Sequence, residues 1–490
     1  MPTDNPAEQP RSILLPLLGV AAFAGVFLLM GSYDMRQRMV AATFAAAVVL
    51  WMTEAIPLAM TALLSTVCLV VTGALPSKDA FGAYGDQIIL LFVGSFIIAK
   101  AMEESGLDRR IAYKLLAKRS ATKSVSMLLL SMGAISCLIS LFVSNTATTA
   151  MLLPIGLTIL AAVTKVERGQ SLSTSLLLML TWGSSIAVGT IIGTPPNVIG
   201  VGLIREATGT SINFVQWAIF AMPVTVVLLL LAWWQLALRA KGSEYHAANA
   251  YEVAQNELLQ LGKLRDSEKI TLGAFFVALF FWLMPGIVEY GAGSGTPTAK
   301  WWSDRFPEAV AALLGAAVLF VIPAKDRPDN RAMTWHLATR IEWGTILLFA
   351  GGLALGKATF ESGLAAKVGS QLATSLNAND PWMITAIATA MAIILSELAS
   401  NTASATTMVP VAIALAQGAG VNPIPAALGA TIGANLGFML PISTAPNAIV
   451  YSTGLIPPRD MLRTGILFDI AGFLATMLCL RIALPLLGLA

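Results

Sequence analysis

Two identical triplets, Ser144-Asn145-Thr146 and Ser400-Asn401-Thr402, interrupt long apolar stretches of a 490-residue chain. Two related polar breaks, Gly193-Thr194-Pro195-Pro196-Asn197 and Ser443-Thr444-Ala445-Pro446-Asn447, interrupt two more. These are neutral hydrogen-bonding groups rather than acids, bases or strong nucleophiles. Ser, Asn and Thr cap helix N-termini, and their hydroxyl and amide groups can also donate to a carboxylate. A helix starting at such a tip aims free N–H groups and a partial positive charge at whatever it faces. Carbonyls released at the end of the preceding half-helix can hold a small cation. One tip therefore supplies half of an anion site and half of a cation site.

Catalytic chemistry finds little support. The two histidines, His246 and His336, lie in polar connectors, so neither Ser144 nor Ser400 has an intramembrane histidine as base to make it a nucleophile. Cys68, Cys137 and Cys479 are isolated in apolar runs and form neither a disulfide framework nor a zinc site. The stretch GGLALGKA at 351–358 approaches a phosphate-binding loop but ends in alanine, where a hydroxyl must hold Mg²⁺. The chain is therefore read as a non-enzyme without cofactors, driven by ion gradients rather than by ATP.

Composition supplies the setting. Charged residues make up 12% of the chain and hydrophobic residues 56%, whereas soluble domains carry about 25% charged residues. Such a chain needs the lipid bilayer as its solvent. A net charge of +3 excludes a strong field for nucleic acid.

Apolar runs of spanning length cover about 13–30, 39–52, 57–75, 88–102, 174–192, 214–238, 270–289, 308–323, 343–359, 425–440 and 464–488. The first, Ile13 to Met30, is long enough to be a retained helix rather than a signal core. The regions 125–163 and 383–418 differ, because each is split by one of the triplets. Two short helices meeting at a polar tip, a re-entrant hairpin, fit them better than one long helix. The fold expected is an all-α integral membrane protein of eleven transmembrane helices plus two re-entrant helical hairpins. With the N-terminus in the cytoplasm and the C-terminus outside, 20 basic residues fall inside and 7 outside, as the positive-inside rule requires.

The two halves repeat. IILLFVGSFIIAKAMEESGL at 88–107 matches TILLFAGGLALGKATFESGL at 345–364, SNTATTAMLLP at 144–154 matches SNTASATTMVP at 400–410, and GTPPNVI at 193–199 matches STAPNAI at 443–449. The offset stays between 250 and 257 residues. This divides the chain into an N-terminal segment with the first helix (1–35), one repeat (36–238), a cytoplasmic linker helix (239–269) and a second repeat (270–490). Each repeat holds five spans and a hairpin, so the second copy is inverted. Inverted repeats with interrupted helices at matching positions point to a transporter site near the midplane.

Charges inside the apolar regions are read as mainly structural. Lys100 and Lys357, near span ends, are expected to snorkel or to form ion pairs. Glu54 and Glu308 are expected to begin spans. Glu397, three residues before Ser400, is placed to tune the cation site, and Asp469 is read as structural.

The segment WMTEAIPLAMTALL at 51–64, both triplets and both T-x-P-N elbows resemble the divalent anion/sodium symporter family. The resemblance extends over about residues 35–490. It implies a homodimer in the cytoplasmic (inner) membrane, with a scaffold domain and a transport domain that moves like an elevator. It also implies C4-dicarboxylates such as succinate, malate and fumarate as substrates, with Na⁺ as the coupling ion. On matching positions the first Na⁺ site uses Ser140, Ser144, Asn145 and Gly193, and the second Ser396, Ala399, Asn401 and Ser443. Substrate then contacts Asn145, Thr146, Thr194, Asn401, Thr402 and Thr444. A sodium-independent dicarboxylate exchanger, a sulfate or tricarboxylate carrier of the same fold, and an ion channel remain open alternatives.

Overall fold

A computed structural model describes residues 14–164, 170–293, 295–376 and 380–489. Three of the 20 basic residues counted inside, Arg11, Lys165 and Arg168, lie outside the described residues, as does the start of the first apolar run. Among the described residues all regular structure is helical, apart from one isolated bridge between Pro323 and Arg331. Among the described residues seven helical stretches are long and apolar enough to cross a membrane, and five shorter apolar helices join them.

Both split regions fold as helical hairpins. Ser124 caps Val125–Ser140, the chain turns, and Ser144 caps Asn145–Val163. In the second copy Asp380 caps Pro381–Leu398, Ala399 is extended, and Ser400 caps Asn401–Gly418. Each first arm packs on the helix that precedes an elbow: Val125–Ser140 on Ser171–Ser185, and Pro381–Leu398 on Pro423–Gly433. Small residues allow the approach. A Cβ on Gly183 would stand 2.9 Å from the Gly133 carbonyl oxygen, and one on Gly433 would stand 2.7 Å from that of Thr389.

The elbow spans break where their prolines dictate. Proline disfavours the helical region for the residue before it, and Thr194 (φ −143°, ψ 147°) and Thr444 (φ −141°, ψ 149°) are both extended. Helix resumes as Pro195–Thr208 and Ala445–Tyr451. The irregular stretches before them, 186–194 and 434–444, are longer than prolines alone require. The apolar runs expected to continue to residues 192 and 440 therefore leave the helix several residues early.

Around the hairpins, Gln87–Ser105 packs on Glu308–Val321, which packs on Asp266–Ala292, and Leu58–Val71 packs on Trp343–Glu361. The helix Gln87–Ser105 ends under two guanidinium groups: Arg265 donates to the Ser105 carbonyl and Arg327 to that of Glu104. Cations suit the negative end of a helix. Ser267 donates its N–H and hydroxyl to Asp326 at 2.8 and 2.6 Å. Burial opposes charge on Asp326, but these bonds outweigh it and hold the carboxyl below its ordinary range.

Three features differ from the sequence reading. Glu54 ends a helix, Met35–Thr53, instead of beginning one. Pro57 starts the next helix, so the chain must turn before it, and Glu54 takes the left-handed conformation (φ 45°) to do so. Glu308 does begin its helix. The linker helix covers only Ala247–Gln260, and residues from Asp266 onward already belong to the following span. Two short amphipathic helices, Leu107–Leu116 and Leu364–Leu376, follow the ESGL sequences of the two repeats. Their charges resemble those of a connector, and their apolar face shows only at helical period.

Ion pairs sort by burial. Arg110 meets Glu268 at 2.7 Å and donates to the carbonyls of Gly262 and Leu261, while Glu268 also accepts from the Arg265 N–H. Arg110 is 8% exposed and Glu268 0%. Lys357 pairs with Asp79 at 3.1 Å and Lys100 with Glu103 at 3.0 Å, both at partly exposed positions. Removing one partner of a buried pair costs about 3–5 kcal/mol, against roughly 0.2–1 kcal/mol for an exposed pair. Arg110→Met should therefore abolish accumulation of the protein or strongly lower its melting temperature in detergent. Lys357→Met should shift melting only slightly. Equal shifts in the two variants would contradict this ranking.

Candidate functional site

The two hairpin tips carry the same local geometry. Ser140 on the first arm donates to the Asn145 amide oxygen at 2.8 Å, and Ser396 donates to that of Asn401, also at 2.8 Å. Each tip serine then accepts from the third residue of its helix: Ser144 from the Ala147 N–H and Ser400 from the Ala403 N–H. The N–H groups of Asn145, Thr146, Asn401 and Thr402 precede the first intrahelical bonds and face outward from the helix ends. Each tip thus gathers oxygens behind the asparagine and offers donors in front of it.

The elbows are organised by their asparagines. Asn197 donates to the carbonyls of Val188 and Thr190 at 3.1 and 2.8 Å. Asn447 donates to those of Gly437 and Leu440 at 3.0 and 3.1 Å, and to the Ser443 hydroxyl. Their amide oxygens look the other way, into the opposite repeat. Thr181 donates to the Asn447 oxygen at 2.7 Å, and Asn435 donates to the Asn197 oxygen at 3.1 Å. Both asparagines are fully buried.

Elbows and tips touch. In the first repeat the Thr190 hydroxyl donates to the Leu141 carbonyl at 2.5 Å. In the second, the Glu397 carboxylate accepts the Met439 and Leu440 N–H groups at 2.8 and 3.1 Å. A Cβ on Gly437 would come within 3.4 Å of the Ser396 hydroxyl and the Asn401 amide oxygen. Gly193 is folded against its own elbow, where a Cβ would stand 2.2 Å from the Ala187 carbonyl oxygen. Its counterpart Ser443 donates its hydroxyl to the carbonyls of Gly437 and Leu440.

All four motifs meet at one cavity of about 380 Å³. Asn145, Thr146, Thr194, Asn401, Thr402 and Thr444 line it, together with Ser144, Ser400 and Ser443. Ser140 and Ser396 sit behind their asparagines and are fully buried, Ala399 lies in the bend of the second tip, and Gly193 lies in the first elbow. The Thr194 hydroxyl has no partner among the described residues. The opposite wall holds Glu54, Glu342 and Thr345. A smaller cavity of about 120 Å³ adjoins it through Ser144 and Glu342, and is flanked by Lys100, Glu103 and Arg340.

A sequence profile described as the sodium:sulfate symporter transmembrane region matches residues 12–488. The chain belongs to this family, the divalent anion/sodium symporters. Among its relatives, a protein of Staphylococcus saprophyticus named sodium-dependent dicarboxylate transporter SdcS is 33% identical over 447 residues, covering 89% of this chain and 84% of the relative. The SdcS of Staphylococcus aureus is 33% identical over 446 residues with the same coverage. Two solved transporters share the fold. Alcanivorax borkumensis YdaH has a TM-score of 0.54 at 11% identity, covering 87% of this chain and 89% of that one. Neisseria gonorrhoeae MtrF has a TM-score of 0.54 at 13% identity, covering 86% and 84%.

In this family member three cavity residues escaped sequence reasoning. Asn435 is a lone polar residue in an apolar run, and the repeat aligns it with Ser185, also polar. That pairing was the available signal. Glu342 and Thr345 carry no signal, since nothing in the sequence says that the start of their helix faces the tips.

The elbow asparagines and the tip asparagines should behave differently when removed. Asn447→Ala strips partners from several buried groups, each worth about 1–3 kcal/mol, and should lower the melting temperature without any ligand. Asn145→Ala and Asn401→Ala should melt near wild type but lose roughly 10- to 150-fold in the succinate and Na⁺ concentrations needed for stabilisation, the equivalent of about 1.5–3 kcal/mol. Wild-type melting of Asn447→Ala, or undiminished ligand stabilisation of Asn401→Ala, would contradict this division.

Proposed function

We propose that this protein is a secondary active transporter that couples C4-dicarboxylate uptake to Na⁺. One observation carries the proposal: both tips and both elbows of an inverted repeat converge on a single polar cavity of about 380 Å³, within the usual range for a small-molecule site. Tip N–H groups, asparagine amides and the hydroxyls of Thr146, Thr194, Thr402 and Thr444 suit two carboxylates held at opposite ends. The names of the Staphylococcus relatives agree with this substrate class and with Na⁺.

The ion sites follow from the oxygens behind the asparagines. Ser140, Ser144, Asn145 and Gly193 hold one Na⁺, and Ser396, Ala399, Asn401 and Ser443 hold the other. The donor set is made only of neutral oxygens, which suits a hard monovalent cation. Because each asparagine borders both an ion and the substrate, bound Na⁺ fixes the tip in the geometry that receives a carboxylate. Glu54 and Glu342 make the opposite wall unfavourable for the anion and leave the tips as its seat.

Eleven crossings, with the elbow spans counted once each, accommodate the helices around the two hairpins. The hairpins, the elbow spans, Phe214–Arg239 and Pro458–Leu486 form the moving transport domain, and the remaining spans form the scaffold of a homodimer. Under the positive-inside orientation Glu54, Glu342, Lys100 and Arg340 lie at cytoplasmic ends. The cavities they border then represent the inward-facing state of a carrier in the cytoplasmic membrane.

Uptake of labelled succinate into proteoliposomes should require an inward Na⁺ gradient and no ATP. Equal uptake in choline buffer with no internal dicarboxylate would sink the proposal, and uptake only against internal dicarboxylate would make the protein an exchanger. Unlabelled malate and fumarate should compete well, and sulfate and citrate poorly. The pH dependence has a defined sign. Neutral donors and helix N-termini favour the dianion, and succinate loses its second proton in the mildly acidic range. At fixed total succinate the apparent affinity should weaken as pH falls towards about 5. A gain there would point to the monoanion.

A further inference from the structure

We infer that Glu397 and Asp469 form a third cation site, for Na⁺, beside the second tip; this rests on the sodium-coupled reading above. The two carboxyl groups lie against each other, one from the first arm of the second hairpin and one from the last long helix. Glu397 is 3% exposed and Asp469 5%. Their surroundings treat them unequally. Glu397 is satisfied by the N–H groups of Met439 and Leu440 at 2.8 and 3.1 Å. Among the described residues neither carboxylate oxygen of Asp469 has a partner in full hydrogen-bond geometry, its polar neighbours being Glu397 and the Phe438 backbone.

Two facing carboxyl groups buried inside a membrane protein can both stay ionised only beside a positive charge. Among the described residues no side chain provides it. The helices Asn401–Gly418 and Pro423–Gly433 and the stretch 434–444 contain no Lys, Arg or His, and Pro381–Leu398 contributes only Glu397 itself. On Phe214–Arg239 the sole base, Arg239, is spent on Asp460 at 2.7 Å. On Pro458–Leu486 the bases besides Arg459 are Arg463, which points outward, and Arg481, which sits over the Trp382 ring. The positive charge must come from solution.

The backbone is brought close enough to help. Gly465, one helical turn before Asp469, allows the last helix to approach the elbow so closely that a Cβ there would stand 2.5 Å from the Phe438 carbonyl oxygen. Residues one turn apart share a helix face, and the backbone of Phe438 also approaches the acid pair. The carboxyl oxygens of Asp469 and Glu397 thus converge from two helices beside the 438–440 backbone, which turns its N–H groups towards them. The first repeat has no counterpart: Leu141 stands where Glu397 would be. A cation here neutralises Asp469 and stiffens the same 437–440 stretch whose carbonyls border the second ion site. Its binding is therefore felt at the tip.

The test is the ²²Na⁺ to [¹⁴C]succinate flux ratio of the full chain in proteoliposomes, with Na⁺-dependent melting in detergent as a second reading. Asp469→Asn keeps shape and removes the charge; Asp469→Ser is the alternative if the first variant accumulates poorly. The ratio should fall by one Na⁺ per succinate, and the Na⁺ midpoint for thermal stabilisation should rise at least fivefold. Succinate KM at saturating Na⁺ should change less than about threefold. An unchanged ratio and midpoint in both variants would overturn the inference, because the pair then carries a proton instead. A succinate KM that rises in step with the Na⁺ midpoint would also overturn it, because the pair would then belong to the substrate site. Wild-type uptake that ignores Na⁺ would be a different failure, that of the transport proposal itself.

Discussion

A backbone that leaves the helix at membrane depth must find a partner for every freed N–H and carbonyl group, and the rest of this molecule is arranged around that demand. Two hairpin tips and two elbows each release several such groups. The tip serines recover one N–H each, the elbow asparagines hold two carbonyls each, and Glu397 takes two N–H groups. At the cavity the first N–H groups of the hairpin helices precede the intrahelical bonds, and the hydroxyl of Thr194 has no partner among the described residues. The binding site thus keeps donors that a ligand can take up.

The repeat meets this demand twice with different residues. In the first copy a glycine, Gly193, lies under the Ala187 carbonyl; in the second, the small residue is Gly437 and a hydroxyl, Ser443, reaches it. Thr444 caps its helix through the Asn447 N–H, whereas Thr194, followed by two prolines, keeps its hydroxyl unpartnered. The tip-to-elbow link is a hydroxyl on a carbonyl in one half and a carboxylate on two N–H groups in the other. An inverted repeat here gives equivalent positions with unequal electrostatics, so the two halves of the site cannot be expected to bind ions alike.

Much of this was legible in the sequence because it is local or repeated. The triplets announce their tips through capping chemistry, the prolines announce the elbows, and duplication ties the two together. What stayed hidden depends on contacts across the fold. Asn435 looks like one polar residue in an apolar run until its donation to Asn197 is seen. Glu54 sits on the other side of a helix boundary from the one its sequence suggests, since the turn before Pro57 is decided over several residues. Leu107–Leu116 is hidden because a ten-residue charged helix and a charged loop look alike by composition, and Leu364–Leu376 because its small and polar residues suit a connector equally well. Asp469 reads as an ordinary structural acid until the absence of any facing base is known.

The exchange of hydrogen bonds between elbows bears on how such a chain is made and how it arose. Asn197 receives its acceptor's partner from residue 435, and Asn447 from residue 181, so neither half closes its own elbow. During synthesis the first half must wait, its elbow incomplete, until more than two hundred further residues have entered the bilayer. Ribosome and insertion machinery therefore handle a partly assembled protein for most of translation. A half-length ancestor would have faced the same shortage and could have met it only by pairing with an oppositely oriented copy of itself.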